Sequence, residues 1–491
     1  MISRYYKNII LFLGIVLTAV SVSLSSCVDE SFSSDPSLKL KFSTDTLLFD
    51  TIFTTVGSST SKIMVYNPNN KNLKISSIQL AGGTNSAYRL NVDGWNVKGN
   101  ILKDIEIRAK DSLFIFVEVT IDPQATNAPT FIKDSIVFNT NNNLQNVKLI
   151  SYGQNMEILR DRTILNDTTL TAEKPYLVYG NLIVDTAKTL TLAPGCRLYF
   201  HANSNLVVYG NLIADGTREK PILLRGDRTD RLFEEVPYNY VSNQWGSVLL
   251  LNPEGNHKLN FVTINSGYAG IYFANDDRSK TPTLEITNCK IHNFLKYGLV
   301  VQNGNVNVGN TEISNTGSYS VYLNGGKHSF IQCTIANYFN SSNILLQPSS
   351  RESNVACMIM ELNKIQPMET VFENCIISGN TTNEFEIMTR FPAQYHGTFK
   401  NCYIRKKEPN NVTSQFSNIR WYEKNDTVFK NTYFDADKKL YYNFMPDSVS
   451  PARNIGSTDA ALKYPYDLNG KNRFEDQQPD AGAYEWQPAV K

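Results

Sequence analysis

Residues Phe233-Glu234-Glu235-Val236-Pro237-Tyr238-Asn239-Tyr240 crowd three aromatic rings and two carboxylates into one short stretch. Flat rings stack on the apolar faces of ligand rings, and carboxylates and amides take hydroxyl hydrogen bonds. Phe233, Glu234, Glu235, Tyr238 and Tyr240 are therefore candidate glycan contacts, with Arg420, Trp421 and Tyr422 as a second set. The competing reading is that these aromatics pack their loops onto the protein. Other charged groups are Asp276-Asp277-Arg278, Arg405-Lys406-Lys407-Glu408, Glu384 and Glu386 with Arg390, and Lys290 with Glu312. Glycosidic acid-base work needs two carboxylates ~5–9.5 Å apart. None of these groups supplies such a pair at the spacing of neighbouring strands, so no catalytic residue is assigned. Lys290 and Glu312 read as a cross-strand ion pair on a solvated face.

Metal and nucleic acid have little support. His201, His257, His292, His328 and His396 are scattered, and no Cys-x-x-Cys or His-x-x-x-His spacing occurs, so no metal site is expected. Lys+Arg is 47 and Asp+Glu is 46, a balance that speaks against a nucleic-acid partner held by phosphate charge. With 491 residues, 41% hydrophobic and 19% charged, the chain has the makeup of a multi-domain globular protein.

The first residues read as an address. Arg4 and Lys7 precede an apolar run from Ile9 to Val22, and Leu24-Ser25-Ser26-Cys27 follows. The run is shorter than the ~20 residues that span a bilayer. Residues 1–26 are thus expected to be a signal peptide. Leu-Ser-Ser-Cys resembles a bacterial lipobox, which implies lipidation of Cys27 (palmitate among the chains) and an outer-membrane anchor. Residues 27–37 form an acidic, Ser-rich tether that resembles a surface-export signal; a plain linker is the other reading. Eight Asp-Ser/Thr-x triplets beyond Cys27, from Asp45-Thr46-Leu47 to Asp447-Ser448-Val449, resemble a periplasmic O-glycosylation motif.

Residues 38–155 alternate in short runs such as Leu38-Lys39-Leu40-Lys41-Phe42, separated by Asn-rich turns, and predict a β-sandwich. Phe49 to Gly57, Asn91-Val92-Asp93-Gly94 and Ser151-Tyr152-Gly153-Gln154 resemble an immunoglobulin-like module of bacterial surface lipoproteins.

The next stretch repeats. Val178-Tyr179-Gly180-Asn181-Leu182 returns as Val208-Tyr209-Gly210-Asn211-Leu212, 30 residues on. A second phase starts at Asn288-Cys289-Lys290-Ile291 and recurs at Asn310, Gln332, Asn374, Asn401 and Asn431, at steps of 22, 22, 42, 27 and 30. The step of 42 reads as two turns of 21. A 22-residue unit without a helix cannot bury a core alone, so its strands must stack on the coils above and below. Positions two and four of the motif then face inward, which places Cys289, Cys333, Cys375 and Cys402 in one column. Cys289 and Cys333 lie two coils apart, beyond the ~7 Å reach of a disulfide. Cys375 and Cys402 lie one coil apart and are within reach, but buried free thiols are the preferred reading. About eleven coils over 160–435 are expected. Asn293, Asn315 and Asn337 repeat at 22 and read as an internal corner ladder, the other reading being a row that lines a ligand face.

Leu190 to Gly195, Leu206 to Thr217, Pro221-Ile222 and Trp245 to Val248 resemble the opening turns of right-handed parallel β-helix proteins of the pectate-lyase-like superfamily. Ser450 to Gly456, Asp467 to Arg473 and Pro479 to Glu485 resemble their closing segment and imply a C-terminal cap over 436–491. The expected fold is all-β: an N-terminal immunoglobulin-like sandwich, then a right-handed parallel β-helix with its cap. The leading functional reading is a surface-exposed outer-membrane lipoprotein acting as a non-catalytic glycan-binding or adhesion scaffold. The alternatives are a polysaccharide lyase or glycoside hydrolase, and a structural accessory of an outer-membrane protein complex. No cofactor is expected, save calcium if the chain is a lyase.

Overall fold

A computed structural model describes residues 31–97, 101–233, 236–339, 355–362, 367–435, 437–475 and 478–488. The signal peptide, Cys27 and the start of the tether lie outside the described residues. Two compact units emerge. One is the chain up to Asp122 together with the later segment Phe131–Tyr152; the other comprises Pro123–Thr130 and the chain from Gly153 on.

The first unit is two five-stranded sheets around one apolar core. Ser112–Val119 shows how the sequence makes it: Leu113, Ile115, Val117 and Val119 are buried, and the residues between them are not. Ser61–Tyr66 pairs antiparallel with this strand, and Leu73–Leu80 pairs antiparallel with Ile101–Ile107 and Thr130–Thr140.

The second unit winds as a parallel β-helix with three strand ladders. The first ladder carries the Asn-Cys-x-Ile motif and runs from Arg197–Phe200 through Ile222–Gly226, Val262–Asn265, Lys290–Phe294, Glu312–Thr316, Thr334–Asn337 and Ile376–Gly379 to Tyr403–Ile404. The second includes Val248–Leu250, Ile271–Ala274, Leu299–Gln302, Val321–Asn324 and Cys357–Glu361. The third has ten strands from Thr168–Leu170 to Phe416–Ser417. The first ladder extends at its start through Glu157–Ile164 and Tyr176–Val184 and at its end to Arg420–Trp421, which makes eleven strands among the described residues.

The cysteines do share one column. Lys290, Glu312, Thr334, Ile376 and Tyr403 pair in succession. The residues just before them are Cys289, Thr311, Cys333, Cys375 and Cys402. All six described cysteines are buried free thiols, and the Cys375 amide donates to Cys402 Sγ at 3.3 Å. Thr334 pairs directly with Ile376, so the step of 42 is one coil with a long insertion, not two turns. Further along the core, Phe330, Phe372, Phe399 and Phe416 stack at centroid separations of 4.6, 5.3 and 4.9 Å.

The first motif position is a bend. Asn288, Asn310, Gln332, Asn374 and Asn401 all have φ between 48 and 55°. Asn tolerates this left-handed region because its short polar side chain bonds locally. The 30-residue echo has another origin. Leu182 pairs with Leu206, whereas Leu212 pairs with Leu190, so the two Tyr-Gly-Asn-Leu copies occupy different corners. They need glycine for different reasons: Gly180 takes a left-handed φ of 73° and its Cβ would lie 2.0 Å from the Asp161 side-chain Oδ1, whereas a Cβ on Gly210 would lie 1.9 Å from the Lys188 carbonyl oxygen.

The tail lies along the flank of the helix and is not confined to its end. Ala452, Ile455, Ala481, Ala483 and Tyr484 pack on Ala336, Ile376 and Tyr403, the outward side of the first ladder. It also reads the Asn column: Asn374 exchanges two hydrogen bonds with Ser457 (2.9 and 2.7 Å), and Asn401 Nδ2 donates to the Ile455 carbonyl (2.7 Å). Arg473 Nη2 donates to Asn310 Oδ1 (2.7 Å) and its Nη1 to Glu485 (2.5 Å). The tail follows these outward positions because they are themselves apolar.

Candidate functional site

The sequence-derived aromatics are mostly used in packing. Tyr240 stacks on Tyr441 at 5.0 Å and tilts against Phe434 at 5.2 Å; burial pushes its hydroxyl up to about 12. Arg228 lies over the Tyr238 ring at 4.1 Å while holding Asp230 at 2.6 Å. Trp421 meets Phe416 edge-on at 5.2 Å at the last rung, and Arg405 lies over Tyr422 at 4.4 Å. Arg420 is exposed. Glu234, Glu235 and the Phe233 side chain lie outside the description. These rings have protein on their faces, which is the packing reading rather than the ligand one.

Lys290 and Glu312 are register partners, but only the lysine is solvated, with its side chain 41% exposed. Glu312 is 2% exposed, with Lys290 Nζ 3.6 Å from its Oε2. Ser314 Oγ donates to Oε1 at 2.6 Å and Tyr484 OH to Oε2 at 2.5 Å. Burial alone would raise this carboxyl, yet the Lys290 charge and the two hydroxyl donors hold it below its usual range. The spacing revealed the pair; the tail that covers it is over 170 residues away in sequence. His292, beside Lys290 on the same strand, is pushed down to about 3 by burial and then by the Lys290 charge.

The sequence reading missed a second constellation on the same ladder. Arg160 pairs with Tyr179, and the strands of Val178, Phe200 and Gly226 pair in succession, which puts Tyr179, His201 and Asp227 on adjacent rungs. The row is in contact throughout. The Arg160 guanidinium carbon sits 4.2 Å from the Tyr179 ring centre. The Tyr179 and His201 rings are 4.6 Å apart. His201 Nδ1 donates to Asp227 Oδ2 at 2.7 Å. Half of the His201 side chain is exposed. Burial and then the Asp227 charge raise the Tyr179 hydroxyl, against the Arg160 charge. The signal in the sequence was the set of steps 19, 22 and 26, each close to one coil, with His201 and Asp227 one residue past their strands.

A carboxylate holding a histidine ring by Nδ1 fixes its orientation and tautomer, leaving Nε2 for proton transfer. A neutral phenol is a proton donor and a guanidinium is a fixed cation. Calcium fits poorly here. It takes six to eight oxygen ligands, and the one carboxylate of the row is engaged by His201. Among the described residues no three His, Cys, Asp or Glu gather as a metal site. The first unit has an open groove of about 780 Å³ lined by Arg89, Asn91, Phe116 and Glu118 among others, without such a dyad.

A family model described as a right handed beta helix region matches residues 269–435, and with the parallel ladders this makes the domain a right-handed parallel β-helix. No curated protein matches the chain. Three solved structures are similar at low identity. The first is a family 123 glycoside hydrolase from Clostridium perfringens, at 8% identity over 25% of this chain and 30% of that one, with a TM-score of 0.19; the match thus spans under a third of the hydrolase. The PapD-like domain 7 of human CEP192 matches at 11% over 27% of this chain and 94% of that one, TM-score 0.17. Dex49A from Penicillium minioluteum matches at 11% over 83% and 82%, TM-score 0.19.

Proposed function

We propose that the β-helix acts on an acidic polysaccharide as a lyase, with Arg160, Tyr179, His201 and Asp227 as its reacting row. The observation that carries this is the contact of those four side chains across four successive rungs. In this reading His201 Nε2 takes the proton from the carbon beside a uronate carboxylate. The freed electron pair forms the double bond as the glycosidic carbon–oxygen bond breaks. Tyr179 gives its proton to the leaving oxygen, and Arg160 faces the carboxylate. Solvent returns the proton from His201 to Tyr179.

Hydrolysis fits less well. Asp227 and Glu312 are three rungs apart, ~14 Å at the strand spacing, beyond the span of a carboxylate pair. A second reading, a glycan-binding or adhesion scaffold without turnover, stands because cleavage rests on this one row alone; the packed Tyr240 and Trp421 do not supply its binding surface. Around this core we read residues 38–155 as an immunoglobulin-like spacer, Cys27 as lipidated, and the outer leaflet of an outer membrane as the address.

The test is to incubate the detergent-solubilised full chain with a panel of acidic polysaccharides and follow the ultraviolet absorbance of unsaturated ends. Cleavage should appear, and His201→Ala and Tyr179→Phe should each slow it ~10²–10⁴-fold. New reducing ends without unsaturation would replace the lyase with a hydrolase; no new ends on any polymer would leave the scaffold.

A further inference from the structure

The second ladder carries an aromatic face that neither the reacting row nor the packed loops use. Tyr272 and Tyr322 are outward residues of Ile271–Ala274 and Val321–Asn324, two rungs apart through Val300. Tyr297 and Tyr319 precede adjacent strands of the same ladder and stack at 6.3 Å with their planes 10° apart. Tyr319 lies 5.6 Å from Tyr322. All four rings are partly exposed. Tyr322 OH donates to Met360 Sδ at 3.3 Å, which fixes the ring against the next rung.

The charge of this face decides what it suits. From Val248–Leu250 to Cys357–Glu361, the outward strand positions are Leu249, Tyr272, Ala274, Val300, Gln302, Tyr322, Asn324, Met358 and Met360, without one formal charge. These positions offer a polyanion no row of cations and a basic peptide no row of carboxylates; charge lies at the margins, with Lys296 before Tyr297 and Glu386 paired with Met358 one rung on. A neutral pyranose chain has what the face lacks nothing for: apolar C–H faces to lie on tyrosine rings, and hydroxyls to meet Gln302, Asn324 and the phenols. Rungs ~4.8 Å apart also present rings at intervals that a polymer, rather than a single small molecule, can follow.

We propose that Tyr272, Tyr297, Tyr319 and Tyr322 form a binding platform for a neutral polysaccharide chain. The platform is separate from the first-ladder row and does not depend on cleavage there. It would hold the protein on an uncharged matrix whether or not the row reacts.

The experiment is affinity electrophoresis of the detergent-solubilised full chain through gels containing neutral β-glucan, mannan or xylan, with an acidic polymer in parallel. At least one neutral gel should retard the protein. Tyr319→Ala with Tyr322→Ala should weaken that retardation roughly tenfold or more, while the corresponding Phe pair, which keeps the rings, should retain it. His201→Ala should leave it unchanged. If the alanine pair fails to fold, the single variants Tyr297→Ala and Tyr319→Ala carry the same expectation. No retardation in any neutral gel, retardation that survives loss of the rings, or retardation in the acidic gel alone would overturn the proposal. So would capture of a protein partner on this face with no glycan bound.

Discussion

His257 and His328 sit inside the helix with almost no exposure. His257 Nδ1 accepts from the Leu212 amide at 3.2 Å, and His328 Nε2 meets the Gly325 carbonyl at 2.9 Å. Burial pushes each imidazole down to about 4. In the unfolded chain each titrates near ~6.5. Their folded values are depressed, so below ~6.5 the unfolded state binds protons that the native state refuses. Stability should therefore fall as pH drops from ~6.5 to about 4, by roughly 3 kcal/mol per histidine. Denaturant midpoints at pH 7.5 and 4.5 measure it. His328→Gln should show a shallower drop than the unaltered chain. At this scale the sequence showed five scattered histidines and no reason to separate them. The fold sends His257 and His328 to the core and His201 to an outward row, because strand alternation assigns sides that a count cannot.

Each coil element repeats a compact instruction: a residue that accepts a left-handed bend, a small inward side chain, an outward position and an inward Ile. Cys289 and Cys196 are pushed up to about 12 by burial, and Cys375 and Cys402 go well above their ordinary value for the same reason. Their thiols should thus be inert in the native state. A thiol reagent at pH 8 should label none of Cys196, Cys289, Cys333, Cys357, Cys375 and Cys402 until denaturant is added, and all six afterwards. Early labelling of Cys375 or Cys402 would contradict the shared column. The tail element makes a different claim. Tyr484→Phe removes a donor to a buried, ionised carboxylate, so it should cost ~1.5–3 kcal/mol in a denaturant titration. The motif spacing made the Lys290–Glu312 register legible. The cover was illegible, because the tail's contacts are set by which outward positions happen to be apolar, namely Ala336, Ile376 and Tyr403.

For the whole molecule, the two units divide the chain near the point where alternating antiparallel runs give way to the coil repeat. The reading of the N-terminus as an anchor has its own check. Cys27→Ala should move the protein from the membrane fraction to the soluble fraction, since lipid chains bind membranes at ~0.8 kcal/mol per buried methylene. A chain that stays membrane-bound without Cys27 would remove the anchor from the account. The steps 19, 22 and 26 that join Arg160, Tyr179, His201 and Asp227 only become a site once the whole helix is wound, since each residue sits on a separate coil.

The winding and its inner column follow from the amino-acid chain alone, because a 22-residue unit with inward apolar positions has one way to bury them: against its own neighbours. Tertiary structure alone decided which outward residues meet. Tyr179 touches His201, Tyr319 stacks on Tyr297, and Tyr484 closes over Glu312. Outward positions bear no periodic burial constraint, so insertions, bends and a distant tail set their company, and those leave no local pattern to read.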